Sequence, residues 1–288
     1  MIGESFSRLL RSLVLGWVFV FVPVSYCYAH IIHMESGEVI SFADMIDDLR
    51  NSRTIFIGEK HDNLYHHLAQ LQVVKGLEAE GLKVAIGLEM FRSDSQQALD
   101  AWVAGTMVYQ DFLKVYNDNW NFWGKYADIY LYARQQKIPL IGLNISREIT
   151  QKVAQKGLDG FSDQEKKNLP IVQCRVDQPY MDFIRRALGG HKLKGKQFRY
   201  FCEAQMLWDK VMAMNLLEYV ERNPKTIVVV LAGSGHSWKY GIPAQLSAMS
   251  KVSTRVLLPN IPGRITMDGA SFEDADYLML GVEEAPLH

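Results

Sequence analysis

The chain has 288 residues, 48% hydrophobic and 22% charged, with a formal net charge of -1. That is ordinary globular composition, enough for one large or two small domains. The near balance of charge lacks the basic excess of a nucleic-acid-binding surface, so no nucleic-acid partner is expected.

At the N-terminus, Arg8 and Arg11 precede the apolar run LVLGWVFVFVPV (Leu13 to Val24), and SYCYAH follows. Charged, then apolar, then small is the layout of a secretory signal, here residues 1–29. The run of about 12 residues is too short for a membrane span, which needs roughly 20. Two exits are open. Cleavage after Ala29 places Cys27 at the -3 position and releases a soluble periplasmic protein. Alternatively, VSYC (Val24 to Cys27) is a lipobox with a bulky Tyr26, and a lipid on Cys27 ties the protein to the outer membrane. The mature domain is then 30–288. Its Cys174 and Cys202 are open to a disulfide or to two buried thiols. Neither CxxC nor a Cys/His zinc spacing is present.

The mature chain alternates helices and strands. Ser41 to Ser52 reads as a helix, with Ser41 and Asp44 spaced as in a capping box. RTIFIG is a buried strand, followed by the helix LYHHLAQLQVVKGLEAEG, which Gly81 ends. KVAIGLEMF is a second strand. Helical patterns follow at Ser93 to Ala104, at Tyr109 to Asn117 and in KYADIYLYARQQK, which feeds the strand IPLIGLN (Ile138 to Asn144). Ser146 to Arg222 is helical in pattern, broken by Gly157, Pro170, Pro179 and Gly189-Gly190. Then KTIVVVLAG, RVLLP and YLMLGV read as strands. Continuous apolar strands separated by helices predict an α/β fold, a mainly parallel sheet flanked by helices. The strandless stretch at about 148–201 predicts a smaller helical subdomain inserted in it.

The first strand runs into FIGEKHDNLYHH (Phe56 to His67), where three of the chain's eight histidines fall within seven residues. Glu59 and His61 follow that strand, Glu89 ends the second, Asn144 and Arg147 follow the third, and His236 follows KTIVVVLAG. In a parallel sheet these positions share the carboxyl edge, where open α/β folds place their ligands. Asp209, in QMLWDKVMA, is expected to approach the same pocket from the last long helix. No GxGxxG, GxxxxGK[ST], GxSxG or HExxH is present, so the familiar dinucleotide, P-loop, nucleophile-elbow and zincin readings lack their motifs.

Together, GEKHDNLYHH (Gly58 to His67), GLEMF (Gly87 to Phe91), IGLNISRE (Ile141 to Glu148), AQMLWDKVMA (Ala204 to Ala213) and AGSGHSWKYGIP (Ala232 to Pro243) resemble the ChaN-like family, grouped with Tiki and erythromycin-esterase-like proteins. The resemblance spans about Ser41 to Pro259. It implies an exported protein of haem or iron uptake or storage, with haem bound non-covalently between the subunits of a homodimer. It also implies a tyrosine on the iron, basic groups near the propionates, and an outer-membrane haem receptor as a candidate partner. Those requirements direct attention to DQPYMDFIRRALGGHKLKGKQFRYF (Asp177 to Phe201). Tyr180 and Tyr200 are its ligand candidates, and His191 and Lys192 its propionate cations. In the wider superfamily the equivalents of Glu59, His61, Glu89 and His236 form a polar or metal-binding cluster. A metal-dependent hydrolase is therefore the alternative, with those four residues on zinc or manganese and a carboxylate as general base.

Overall fold

The computed structural model describes residues 30–167, 169–172, 181 and 195–282. The strands in chain order are β1 (His30–His33), β2 (Glu38–Ile40), β3 (Thr54–Glu59), β4 (Val84–Arg92), β5 (Leu140–Asn144), β6 (Ile227–Gly233), β7 (Thr254–Pro259) and β8 (Tyr277–Leu280). They form one sheet of order β2-β1-β8-β7-β3-β6-β4-β5. From β8 to β5 neighbours run parallel, while β1 pairs antiparallel with both β8 and β2. The result is an α/β fold built on a mostly parallel sheet.

Helices α1 (Phe42–Leu49), α2 (Leu64–Ala79), α3 (Gln96–Ala104), α4 (Tyr109–Asn119) and α5 (Trp123–Gln136) serve one face of the sheet. The long α8 (Gly195–Arg222) and the short α10 (Ile242–Ser247) serve the other, after α6 (Arg147–Lys156) and α7 (Asp163–Lys166), with the single turn α9 (Ser234–Ser237) following β6. The strands alternate as their pleat requires. Ile55, Ile57, Ile86, Leu88, Val229 and Leu231 enter the core under α1–α5. Phe56, Ala85, Val228, Val230 and Ala232 meet Met212, Ala213 and Leu216 of α8. Each such aliphatic side chain contributes about 1.5–3 kcal/mol on burial, which holds both helical layers to the sheet.

The Ser41 capping box forms, with Asp44 N–H on Ser41 Oγ at 3.1 Å. The helix behind it ends at Leu49, with Arg50 as its C-cap. The β1–β2 hairpin has no counterpart in the sequence reading, because strands of four and three residues are too short to show a period. At the far edge, β5 is closed by a side chain: Gln96 donates to Leu140 C=O at 2.8 Å and accepts from Gly142 N–H at 2.9 Å. That occupies the groups an added strand would use. Among the described residues no helix is long and apolar enough to cross a membrane. Residues 1–29, Cys174, Tyr180, His191 and Lys192 lie outside the described residues. Cys202 is buried in α8.

Candidate functional site

Strand parity decides where the two glutamates point. Glu59, at the end of β3, shares a face with Ile55 and Ile57 and turns toward α2 and α5. Gln70 of α2 donates to its Oε2 at 2.8 Å. Tyr126 of α5 donates its hydroxyl to Oε1, and His61 Nδ1 donates to the same oxygen at 2.7 Å. His67 Nε2 stands 3.4 Å from Oε2, its ring stacked on Tyr126 at 3.8 Å between centroids. Burial alone would raise the Glu59 carboxyl, but the imidazoles of His61 and His67 outweigh it and hold the group well below the usual range.

Glu89 lies between Leu88 and Met90, which enter the α1–α5 core, so its side chain turns to the α8 face. Its Oε2 accepts the Gly233 N–H at 2.6 Å, and its carbonyl accepts from Asn144 Nδ2 at 2.7 Å. Its Oε1 is 3.7 Å from His236 Nε2 and 3.9 Å from His61 Nε2. On the other side of its ring, His236 donates from Nδ1 to Asp209 Oδ1 at 2.6 Å. Burial pushes the Asp209 carboxyl up to about 6, against the pull of His236. His236 is raised: burial opposes its charge, but Glu89 and Asp209 prevail. His61 is raised to about 9, burial again being outweighed, here by Glu89 and Glu59.

The site therefore consists of two carboxylate–imidazole dyads, Glu59–His61 and Asp209–His236. Each leaves its Nε2 facing one oxygen of Glu89. The dyads can hold and move protons at that oxygen, which suits acid–base work or a fixed polar floor for a ligand. Glycines permit the close approach. A Cβ on Gly233 would sit 2.9 Å from His61 Cε1 and Nε2, and one on Gly58 would sit 2.8 Å from Ser234 Oγ. Gly241 lies so close to the His236 carbonyl that a Cβ there would overlap it.

The histidine-rich loop divides its labour. Asn63 caps α2 through Oδ1, on Tyr65 N–H at 2.9 Å. Asp62 pairs with Lys60. His66 accepts the Lys60 N–H at 2.9 Å, and burial lowers it to about 4, so it is neutral. Only His61 and His67 of the three reach Glu59. Tyr126 and Gln70 gave no sequence signal, since each occupies an ordinary helical position far along the chain. The rings of Trp120 and Trp208 stand edge-on to His61 and His236 at 5.0 and 5.5 Å.

Two cavities of about 230 Å³ each flank the dyads. Lys60, Arg264, Ile261 and Ile265 line the first, and Arg147, Arg92, Asp118 and Trp120 the second, with His61 and His236 in both. Arg147 is exposed at its cavity. Tyr200 is half-buried on α8, its ring against Gly157 and 5.3 Å from the Arg199 guanidinium carbon. It lines neither of these two cavities.

The zinc or manganese alternative meets a correction. Among the described residues no group of three or more His, Cys, Asp or Glu side chains is arranged to hold a metal ion. The physical reason lies in the carboxylates: Glu59 already takes three hydrogen bonds, and Glu89 Oε2 takes a backbone amide. Both imidazoles spend Nδ1 on a carboxylate, a bond that is itself compatible with metal binding through Nε2.

A mostly parallel sheet with one buried and one partly exposed acid–imidazole dyad at its carboxyl edge defines the class: an α/β protein with a polar edge site between two helical layers. Residues 45–246 match the family described as haem-binding uptake, Tiki superfamily, ChaN, and the chain belongs to that family. Among solved structures it is similar to one described as cofacial haem binding to ChaN of Campylobacter jejuni. That match has 22% identity and a TM-score of 0.70, covering 88% of this chain and 97% of that one. A fainter likeness, at 14% identity and a TM-score of 0.48, is to an erythromycin esterase, EreC, in its open conformation, covering 75% of this chain and 72% of that one. No curated protein matches the chain significantly.

Proposed function

We propose that the protein is an exported haem carrier of haem or iron uptake or storage, and that it holds haem between two copies of itself. The observation that carries this reading is the match to the haem-binding family over residues 45–246. Cavity size supports the interface. The two spaces beside the dyads, at about 230 Å³, fall below the roughly 300–1,000 Å³ of sites that enclose a small molecule. A porphyrin therefore needs a second surface to cover it. The likeness to a protein described as binding haem cofacially fits the same arrangement.

In this reading Tyr180 or Tyr200 supplies the iron ligand, a hard oxygen donor suited to ferric iron, and His191 and Lys192 meet the propionates. The signal at 1–29 delivers the protein to the periplasm or, through a lipid on Cys27, to the outer membrane, where a haem receptor is the partner. Binding, not catalysis, is the role assigned to the chain. The test is a haem titration of the mature protein followed by absorbance, with its oligomeric state measured before and after. A saturable Soret change with a haem-loaded dimer is expected. Nonsaturable association typical of free haem on apolar surface would overturn the reading.

A further inference from the structure

Two arginines beside the dyads have no carboxylate or carbonyl partner among the described residues, and one of them, Arg264, sits on a turn. The segment Ile261-Pro262-Gly263-Arg264-Ile265 is a tight turn closed by paired Ile261 and Ile265, with Gly263 at φ +74°. Pro and Gly at the turn's centre fix that geometry and set Arg264 at its tip, lining the first cavity. Arg147 and Arg264 are the two described arginines whose guanidinium has neither a carboxylate nor a carbonyl partner among the described residues. The others are engaged by one or the other. The two exceptions line the two cavities beside the dyads.

The cavities differ in what they would accept. Arg147 shares its cavity with Arg92 and with the carboxylates of Asp118 and Glu89, so arginines and carboxylates there are equal in number. Arg264 shares its own with Lys60, the apolar walls Ile261 and Ile265, and Glu59, whose oxygens are already taken by hydrogen bonds. Among the described residues, the Lys60 ammonium pairs with the exposed Asp62, at 3.1 Å. An apolar wall leading to an open guanidinium fits a short methylene stem that ends in a carboxylate. At about 230 Å³ the space admits such an arm and not a porphyrin ring.

We propose that this cavity seats one propionate arm of the bound tetrapyrrole, with the carboxylate on Arg264, Lys60 at the rim, and the ring outside. The inference rests on the haem-carrier reading and adds to it a second cation centre, separate from His191 and Lys192.

The test compares ferric haem with its dimethyl ester, which keeps the iron and ring and removes both carboxylate charges. It is run on the wild type, Arg264→Ala and Arg264→Lys, with thermal melting as a check on the fold. Arg264 is exposed on a turn, so melting is expected to stay unchanged. The expected result is that Arg264→Ala binds haem about tenfold to a hundredfold more weakly, as for a lost charged hydrogen bond, while its affinity for the diester is unchanged. Arg264→Lys should recover part of the loss. If Arg264→Ala leaves haem affinity intact, or weakens haem and diester alike, the arm is not on Arg264. If neither compound binds the wild type saturably, the haem-carrier reading falls and takes this inference with it.

Discussion

His236 donates its Nδ1–H to Asp209 Oδ1 at 2.6 Å across a buried gap between the end of β6 and the middle of α8. The bond ties the carboxyl edge of the sheet to the helix that covers it, so the pair is structural as well as functional. Removing one member of a buried ion pair leaves the other uncompensated, at a cost of about 3–5 kcal/mol. Asp209→Ala is therefore expected to lose about that much in urea unfolding. Asp209→Asn, which keeps the shape and an acceptor oxygen, should lose about 1–3 kcal/mol. Equal losses for the two would mean that the carboxylate charge, which both variants remove, and not packing or the retained acceptor, holds the pair.

His61 gives the site a defined pH response. Its pKa is raised from 6.5 to about 9, so the folded state binds its proton more tightly than the unfolded chain. The stability it adds is fully present below about pH 6.5 and is lost as pH rises through about 9. Unfolding free energies measured from pH 6 to pH 10 should fall in the wild type, and His61→Gln should flatten that part of the curve. Parallel curves for the two proteins would show that His61 carries no such charge.

Two glycines near the imidazoles predict opposite outcomes for the same substitution. At Gly233 the obstacle to a Cβ is the end of the His61 side chain, which can swing aside. Gly233→Ala should lower the His61 pKa as the ring leaves the two carboxylates, losing the stability His61 adds below about pH 6.5, while above about pH 9 its cost should be under about 1 kcal/mol. At Gly241 the obstacle is the backbone of His236 itself, which cannot yield without moving the turn. Gly241→Ala should cost about 1–3 kcal/mol, as overpacking does. Imidazole NMR titration and chemical denaturation of both variants separate the two cases.

The sheet was legible because its strands are long apolar runs ended by glycine or a charged residue, and the carboxyl edge followed from their being parallel. Glu59 could be placed at that edge from the end of TIFIGE, whereas Glu89, expected to end its strand, lies three residues before the end of β4 at Arg92. What the sequence could not show is which face each glutamate takes, because that depends on which core each strand neighbour enters. Glu59 and Glu89 turn to opposite faces, and His61 joins them. Tyr126 and Gln70 remained hidden for a related reason: a helical residue that donates inward has the same spacing as one that packs. The metal reading finds no support among the described residues, because residue type and strand position do not by themselves bring three donors around one point.

The axial ligand is the last prediction. A carrier needs a donor that holds ferric iron and can still be displaced on transfer, and a phenolate oxygen meets both demands once its pKa, ordinarily near 10, falls on contact with Fe(III). Histidine is the usual competitor, but His61 and His236 each commit Nδ1 to a carboxylate and turn Nε2 toward Glu89. Tyr200 is held by packing: its ring lies on Gly157, a position with φ +70° where no side chain fits. That commitment makes Tyr180 the stronger candidate of the two. Tyr180→Phe and Tyr200→Phe, made separately, keep each ring and remove only the oxygen. Tyr180→Phe is expected to abolish the ferric phenolate charge-transfer band and weaken haem binding about tenfold or more, equivalent to about 1.4 kcal/mol. Tyr200→Phe should leave the band in place. A reversed pattern would move the ligand to Tyr200, and an unchanged band in both variants would exclude both tyrosines while leaving haem binding to be explained by another donor.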